Sequence, residues 1–154
     1  MKEVCIYTDG ACSGNPGAGG YGVLLSFGGV TKELSGGRTR TTNNRMEILA
    51  AIVGLETLKE PCKISLYSDS RYLVDAIEKN WVYKWQKNNW YRNKTDKALN
   101  VDLWKRLLIQ LERHDVTFHW VKGHNSNPGN ERCDALATGA IKGGGLLADE
   151  GFLG

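Results

Sequence analysis

Four carboxylates stand at positions where an ionised side chain needs a partner. Asp9 follows the largely apolar run 4–8, and Asp69 follows a similar run that ends at residue 68. Glu47 and Asp134 lie among the apolar residues of two segments with helical periodicity. Burying an ionised carboxylate is costly unless a cation pairs with it. A divalent metal ion could balance all four charges, and carboxylates around a metal can carry out phosphoryl chemistry.

Three of the four carboxylates also have a simpler explanation when each is considered alone. Glu47 and the residue three positions before it have the spacing of a capping box, which is the better explanation of Glu47 by itself. Asp69 could cap the helix predicted to follow it. Asp134 could pair with Arg132 or Lys122. The metal-site hypothesis therefore depends on the four residues coming together.

The composition is that of one soluble domain. The chain has 154 residues, of which 41% are hydrophobic and 24% charged, and this is long enough to bury a substantial core. No apolar run approaches the roughly 20 residues of a membrane span, and the N-terminus leads straight into a predicted strand without a signal peptide. The four cysteines lack zinc-ligand spacing, so reduced thiols are expected. We expect a cytoplasmic monomer that makes no membrane contact.

Positive charge is concentrated in residues 79–97, here called the basic segment. It contains six lysines and arginines against one aspartate, with Trp and Tyr residues interleaved. Basic groups attract phosphates, and aromatic faces stack on sugars and bases. The alternative is a solvated helix whose tryptophans belong to the core.

Periodicity and turn signals predict five strands and five helices. The strands are predicted over residues 3–9, 21–27, 30–35, 63–68 and 116–121, with a Gly-rich loop over 10–20. The helices are predicted from caps at 42–44 to Pro61, over 70–78, within the basic segment, over 101–112 with Asn100 as cap, and from Asn127 to about Ile141.

This order predicts an α/β fold with a mixed sheet flanked by helices. The first three strands should form an antiparallel meander, and helical crossovers make the last two parallel. Sites in open α/β sheets lie at the carboxyl ends of parallel strands. Asp9 and Asp69 both follow a Tyr-Thr or Tyr-Ser pair at such an end, so they should project side by side if their strands are neighbours.

The glycines at 17–22 match a dinucleotide-binding pattern by letter. That pattern should open a helix inside a βαβ unit, whereas a strand-like run follows it here. We therefore exclude a dinucleotide site. These glycines are expected to let the backbone approach a ligand closely or to turn the chain.

Together these motifs resemble one family. They are Tyr-Thr-Asp-Gly at 7–10, Thr-Thr-Asn-Asn-Arg-Met-Glu at 41–47, Tyr-Ser-Asp-Ser at 67–70, Trp-Val-Lys-Gly-His at 120–124 and Asn-Glu-Arg-Cys-Asp at 130–134. The sequence is similar to type 1 ribonuclease H over residues 3–142, and the basic segment resembles the basic protrusion of bacterial members. The resemblance implies the ribonuclease H-like fold, a catalytic domain over 1–142 and a flexible tail over 143–154.

The resemblance also implies a reaction. The enzyme would hydrolyse the RNA strand of RNA–DNA hybrids endonucleolytically, without strong sequence specificity, giving 5′-phosphate and 3′-hydroxyl products. Asp9, Glu47, Asp69 and Asp134 would bind two Mg²⁺ ions, for which Mn²⁺ could substitute. His124 would shuttle a proton or help release the product metal.

Family positions that contact substrate map onto two groups of residues. Those resembling the RNA-strand contacts are Cys12, Gly14, Asn15, Asn43, Asn44 and Arg71. Those resembling the DNA-strand and phosphate contacts are Arg40, Thr42, Asn100, Trp81, Trp85, Lys84 and Lys87. Arg71 is a departure, because relatives often carry a neutral residue there. A cation at this position could add a phosphate contact or compete with the second metal ion.

Three alternatives are weaker. A DNA nuclease or resolvase of related fold is disfavoured by the basic segment and by the Asn43-Asn44 pair. A non-catalytic hybrid-binding module should have lost part of the carboxylate set, which is complete here. A piece of a reverse transcriptase is disfavoured by the initial Met1 and the self-contained span.

Overall fold

A five-stranded mixed sheet forms the centre of the structure, a computed structural model that describes residues 1–123 and 127–154. The strands are β1 (Lys2–Ser13), β2 (Gly17–Phe27), β3 (Val30–Thr41), β4 (Cys62–Ser68) and β5 (Asp115–Trp120). The helices are α1 (Asn43–Thr57), α2 (Arg71–Glu78), α3 (Trp81–Lys87), α4 (Val101–Arg113) and α5 (Pro128–Lys142).

The strand order is β3-β2-β1-β4-β5. The β1–β2 and β2–β3 pairs are antiparallel, while β1–β4 and β4–β5 are parallel. The predicted meander of three strands extended by two parallel strands is confirmed. It follows from the short turns of the first three strands and the helical connections of the last two.

The predicted loop over 10–20 is mostly strand. β1 continues to Ser13, which pairs with Ala18 of β2, so that only a short turn joins the two strands. Asp9 therefore lies inside β1 and not at its end. Gly10, Ser13, Gly19 and Gly20, although typical of a turn, pair in the β1–β2 ladder here, because a ladder needs no particular side chain.

Helices cover both faces of the sheet. A Cβ on Gly54 of α1 would contact Ile6, whereas a Cβ on Gly129 of α5 would contact Tyr7. Since successive side chains of β1 point to opposite faces, α1 and α5 lie on opposite sides of the sheet. α1 is buried over most of its length because it lies between the sheet and α4.

The tail over residues 143–154, predicted to be flexible, packs against the body in the structure. The Thr39 amide donates to the Leu147 carbonyl at 2.8 Å, and the Leu147 amide donates to Gly37 at 3.1 Å. Asp149 accepts hydrogen bonds from the Arg45 guanidinium. The physical reason is that Arg45 is buried and needs carboxylates around it, a requirement that the sequence of the tail does not reveal.

No helix in the described part of the chain has the length and apolar character needed to cross a bilayer.

Candidate active site

Three carboxylates meet beside the point where the β1–β4 pairing ends. Asp9, Glu47 and Asp69 each place a carboxylate oxygen within 4.8 Å of the others. Tyr7 of β1 is in register with Tyr67 of β4, and their rings stack with centroids 4.9 Å apart. The parallel pairing thus brings Asp9 and Asp69, each two residues further on, to one place, as the sequence predicts.

Glu47 reaches this place because α1 packs directly on β1. Gly10 allows the approach, since a Cβ there would lie 2.6 Å from the Glu47 amide nitrogen. The Gly10 amide also donates to Asp9 Oδ1 at 2.9 Å, which orients that carboxylate.

Burial and mutual repulsion make the carboxylates of the cluster hard to ionise. Burial and the neighbouring Asp69 raise the pKa of Asp9 to about 8. Burial, together with Asp9 and Asp69, holds the pKa of Glu47 well above its ordinary value. Glu47 Oε1 is buried and has no hydrogen-bond partner among the described residues. Clustered oxygen donors with an unpartnered buried oxygen fit a hard divalent cation such as Mg²⁺.

The helix-cap explanations of Glu47 and Asp69 do not describe the structure. Thr42 caps α1 by accepting from the Arg45 amide at 3.2 Å, which leaves Glu47 free to face the cluster. Ser70 caps α2 by accepting from the Leu73 amide.

Asp134 lines the same cleft but stands outside the close cluster. The cleft has a volume of about 500 Å³ and contains all four carboxylates. Of the two partners considered for Asp134, Arg132 is paired with Glu33 of β3 instead. Asp134 is carried by α5, whose Cys133 thiol donates to the Tyr7 carbonyl at 3.1 Å. The predicted convergence of four carboxylates therefore takes the form of three close together and a fourth that lines the same cleft outside the cluster.

Comparisons with known proteins show the family to which this chain belongs. The family model for RNase H matches residues 1–142. The chain belongs to the ribonuclease H family. It is 63% identical over 142 residues to the ribonuclease H of Desulforamulus reducens, covering 92% of this chain and 89% of that protein.

Solved structures show the same ribonuclease H fold. LC9-RNase H1, a type 1 RNase H with the type 2 active-site motif, superimposes with a TM-score of 0.83 at 30% identity, covering 93% of this chain and 74% of that one. LC11-RNase H1 in complex with an RNA/DNA hybrid superimposes with a TM-score of 0.65 at 24% identity, covering 91% and 97% of the two chains. At that identity the second likeness shows the fold alone.

One residue predicted for this ribonuclease H site, His124, lies outside the described residues. The preceding Gly123 is described and lies close to the carboxylates, because a Cβ there would lie 3.0 Å from Asp69 Oδ2.

The residues predicted to contact the RNA strand lie in or beside the cleft. Cys12, Asn43, Asn44 and Arg71 line it. Asn15 accepts from the Asn43 amide at 3.1 Å and so ties the β1–β2 turn to the start of α1. Gly14 adopts a φ of +80° in that turn, a conformation that favours glycine.

Arg45, to which the sequence analysis gave no role, lies among the residues predicted to bind the DNA phosphate. Arg45 has only 2% of its side chain exposed, and it donates to Asn100, Asp102 and Asp149. Thr42, as the cap of α1, and the exposed Arg40 stand in the same region of the chain. In the sequence the signal for Arg45 was a cation next to the largely apolar helical run that begins at Met46, where burial without a partner would be costly.

Asn100 differs from its predicted role as a helix cap. It stands at the N-cap position of α4, with a φ of 62°, but its side chain makes no capping hydrogen bond. The side chain instead donates to the Tyr72 hydroxyl at 3.1 Å and accepts from Arg45 at 3.3 Å. These partners fix its amide between α2 and α1.

In the basic segment the tryptophans pack against the core, as the alternative explanation expects, while binding of nucleic acid stays a prediction. Trp81 and Trp85 are half-buried and pack against the core, with Trp85 6.4 Å from the Trp104 ring centroid. Lys84 and Lys87 are exposed on the same short helix. The tryptophans thus anchor the segment while its lysines face solvent.

Proposed function

We propose that this protein hydrolyses the RNA strand of RNA–DNA hybrids endonucleolytically, giving 5′-phosphate and 3′-hydroxyl products. The observation that carries the proposal is the cluster of Asp9, Glu47 and Asp69, within 4.8 Å of one another, in a chain of the ribonuclease H family. The ribonuclease H of Desulforamulus reducens, at 63% identity, supports the same activity.

In this proposal Asp9, Glu47, Asp69 and Asp134 hold two Mg²⁺ ions, and Mn²⁺ can replace them. When bound, the ions supply Lewis-acid stabilisation of the charge that develops on the phosphate and its leaving oxygen. The raised pKa values of Asp9 and Glu47 support this assignment, because a cation would favour their ionised forms.

The protein residues orient and separate the reacting groups. The Gly10 amide fixes Asp9, and the burial of Glu47 keeps one carboxylate oxygen away from solvent. Asp134 lines the same cleft as the cluster, and the cleft is where a phosphate would enter. We assign His124 to proton transfer during the reaction or product release.

The two strands of the hybrid would meet different surfaces. Asn43, Asn44 and Cys12 form a polar wall beside the carboxylates, where an RNA strand can be read through its 2′-hydroxyls. Arg40, Thr42, Asn100 and the basic segment would bind the DNA strand through its phosphates. Contacts to the backbone carry little base information, so cleavage should be nearly independent of sequence. Because one chain supplies every residue assigned here, we also propose that the protein acts as a monomer.

A cleavage assay with end-labelled strands tests the proposal. With Mg²⁺, the wild type should cut the RNA strand of a hybrid and leave double-stranded RNA and double-stranded DNA intact. Asp9→Asn and Asp69→Asn should each lower the rate by about a thousandfold or more. Asp115→Asn, which removes an exposed carboxylate at the start of β5, is the matched control and should cleave normally.

Three results would contradict the proposal. Cleavage of double-stranded DNA at a comparable rate would favour a resolvase-like nuclease. Full hybrid cleavage by Asp69→Asn would show that the carboxylate cluster is not the catalytic centre. Hybrid binding without cleavage by the wild type would indicate a binding module.

A further inference from the structure

The guanidinium of Arg71 lies flat against an aromatic ring at the rim of the cleft. Its central carbon stands 4.0 Å from the centroid of the Trp120 ring. Trp120 is the last residue of β5, is 40% exposed and donates from Nε1 to the Asp69 carbonyl at 3.2 Å. The ring that holds Arg71 is therefore itself tied to the backbone of a carboxylate in the site.

Local energetics do not favour a cation at this position. Arg71 is the first residue of α2, where the helix dipole disfavours positive charge. Although it lines the cleft with three clustered carboxylates, it forms no ion pair within the described parts of the chain, 1–123 and 127–154. Stacking on Trp120 is its stabilising contact, in which the cation is attracted to the face of the aromatic ring.

The stacked arrangement leaves the N–H donors of the guanidinium free. Stacking uses the flat face, while the N–H donors along the edge remain available for a bidentate contact with phosphate. Fixing the plane beforehand also reduces the ordering that such a contact would otherwise require.

We propose that Arg71 binds a phosphate of the RNA strand beside the one that is cleaved, and that Trp120 is the positioning residue that holds it there. This inference rests on the proposed function, since it specifies how the same cleft binds its substrate. The RNA strand is the partner because Arg71 lines the same cleft as Asn43 and Asn44, which we assign to that strand. Arg71 does not stand in the place of a metal ion, because no described carboxylate oxygen lies within ion-pair distance of it.

Steady-state kinetics with a defined hybrid at saturating Mg²⁺ test the contact. Arg71→Gln should raise KM about tenfold, the loss expected for a charge-assisted hydrogen bond, with kcat within about twofold of the wild type. The salt dependence of hybrid binding, measured by fluorescence anisotropy in a chelator, should weaken by about 0.7–0.9 in logarithmic slope, as for one phosphate contact. Arg71→Lys, which keeps the charge without the plane, should fall between the two proteins.

The role of Trp120 is tested by a double-substitution cycle. Trp120→Leu should raise KM in the wild-type background and leave KM unchanged in the Arg71→Gln background, because its effect passes through Arg71. Trp120→Phe keeps an aromatic face and should restore most of the affinity. Lys32→Gln is the control, since it removes one exposed charge at the opposite end of the sheet. It should change neither KM nor the salt dependence of hybrid binding. Thermal melts identify any Trp120 variant that is merely unfolded. The phosphate contact can still be tested in that case, because the Arg71 variants keep Trp120.

The results separate this inference from the proposed function. A wild type that does not cleave hybrids would overturn the proposed function. A wild type that cleaves them, with the same KM and salt slope as Arg71→Gln, would overturn the phosphate contact. An equal effect of Trp120→Leu in both backgrounds would overturn the positioning role.

Discussion

At Asp9, burial and the charge of Asp69 favour the protonated carboxyl and raise its pKa to about 8. In the unfolded chain the same group has an ordinary pKa near 4. Between these values the folded protein binds more protons than the unfolded one, so stability falls as the pH rises through that window. A divalent cation in the cluster should oppose this loss.

Asp9→Asn should therefore stabilise the metal-free protein, and more so at pH 8 than at pH 5. The substitution removes a carboxyl that is costly to ionise in the folded state. Thermal melts in a chelator at the two pH values measure the effect. Added Mg²⁺ should raise the melting temperature of the wild type at pH 8 more than that of the variant.

The exposed Asp115→Asn is the control for this experiment and should show little difference between the two pH values. An Asp9→Asn protein whose advantage is the same at pH 5 and pH 8 would mean that Asp9 titrates normally in the folded state.

Among the secondary-structure elements, β2 and α5 make the contact that places Asp134. Gly22 lies opposite Asp9 in the β1–β2 pairing, and a Cβ on Gly22 would collide with the Cys133 carbonyl of α5. Gly20 meets the Ala137 carbonyl in the same way. Two glycines of the run that resembled a nucleotide-binding pattern, Gly20 and Gly22, therefore serve helix packing, since only glycine lets the helix backbone lie so close to the strand.

Gly22→Ala should separate α5 from β2. We expect a loss of about 2 kcal/mol in the free energy of unfolding, together with slower hybrid cleavage, because Asp134 moves with the helix. Urea unfolding and the cleavage assay measure the two effects.

Gly139→Ala is the matched control, in the same helix, where an added Cβ would meet nothing within 4 Å. It should stabilise the protein by about 0.5–1 kcal/mol, as alanine does in a helix interior. Equal effects of the two substitutions would argue against the close α5–β2 contact.

Across the whole molecule, Arg45 connects α1, α4 and the tail. Its guanidinium pairs with Asp102 at 2.6 Å and with Asp149 at 2.7 Å. Burial raises the pKa of Asp149, but hydrogen bonds from Arg45 and Thr41 outweigh it and leave the pKa below its ordinary value. The tail thereby becomes part of the same structure that holds the start of α1 and Asn100.

Asp149→Asn should lower the free energy of unfolding at neutral pH by about 1–3 kcal/mol, since it leaves Arg45 with less compensation. Because the folded pKa of Asp149 is depressed, its contribution is present above the unfolded pKa and is lost as the pH falls below about 4. The difference between wild type and variant should therefore shrink in acid. Urea unfolding across that range measures it.

The exposed neighbour Glu150 provides the comparison, and Glu150→Gln should change stability little at any pH. A constant difference between wild type and Asp149→Asn from pH 7 to pH 3 would contradict the ion-pair explanation.

The sequence by itself determined the order of strands and helices, the five-stranded mixed sheet and the side-by-side placement of Asp9 and Asp69. These depend on local patterns, namely residue periodicity, turn signals and the parity of side chains along parallel strands. The start of α5 at Asn127–Pro128 could also be predicted from the sequence, because a helix cap acts within one turn. Asn127 accepts a hydrogen bond from the Asn130 amide, as expected.

Only the tertiary structure decided the placement of Glu47 in the carboxylate cluster, that of Asp134 in the same cleft outside the cluster, the packing of the tail and the stacking of Arg71 on Trp120. In the sequence a capping box was the better explanation of Glu47 by itself, and its placement in the cluster instead depended on Thr42 capping the helix. The other contacts join residues far apart in the chain, and each depends on how closely two backbones approach. Such distances are set by packing across the sheet, for which residue spacing along the chain carries no direct signal.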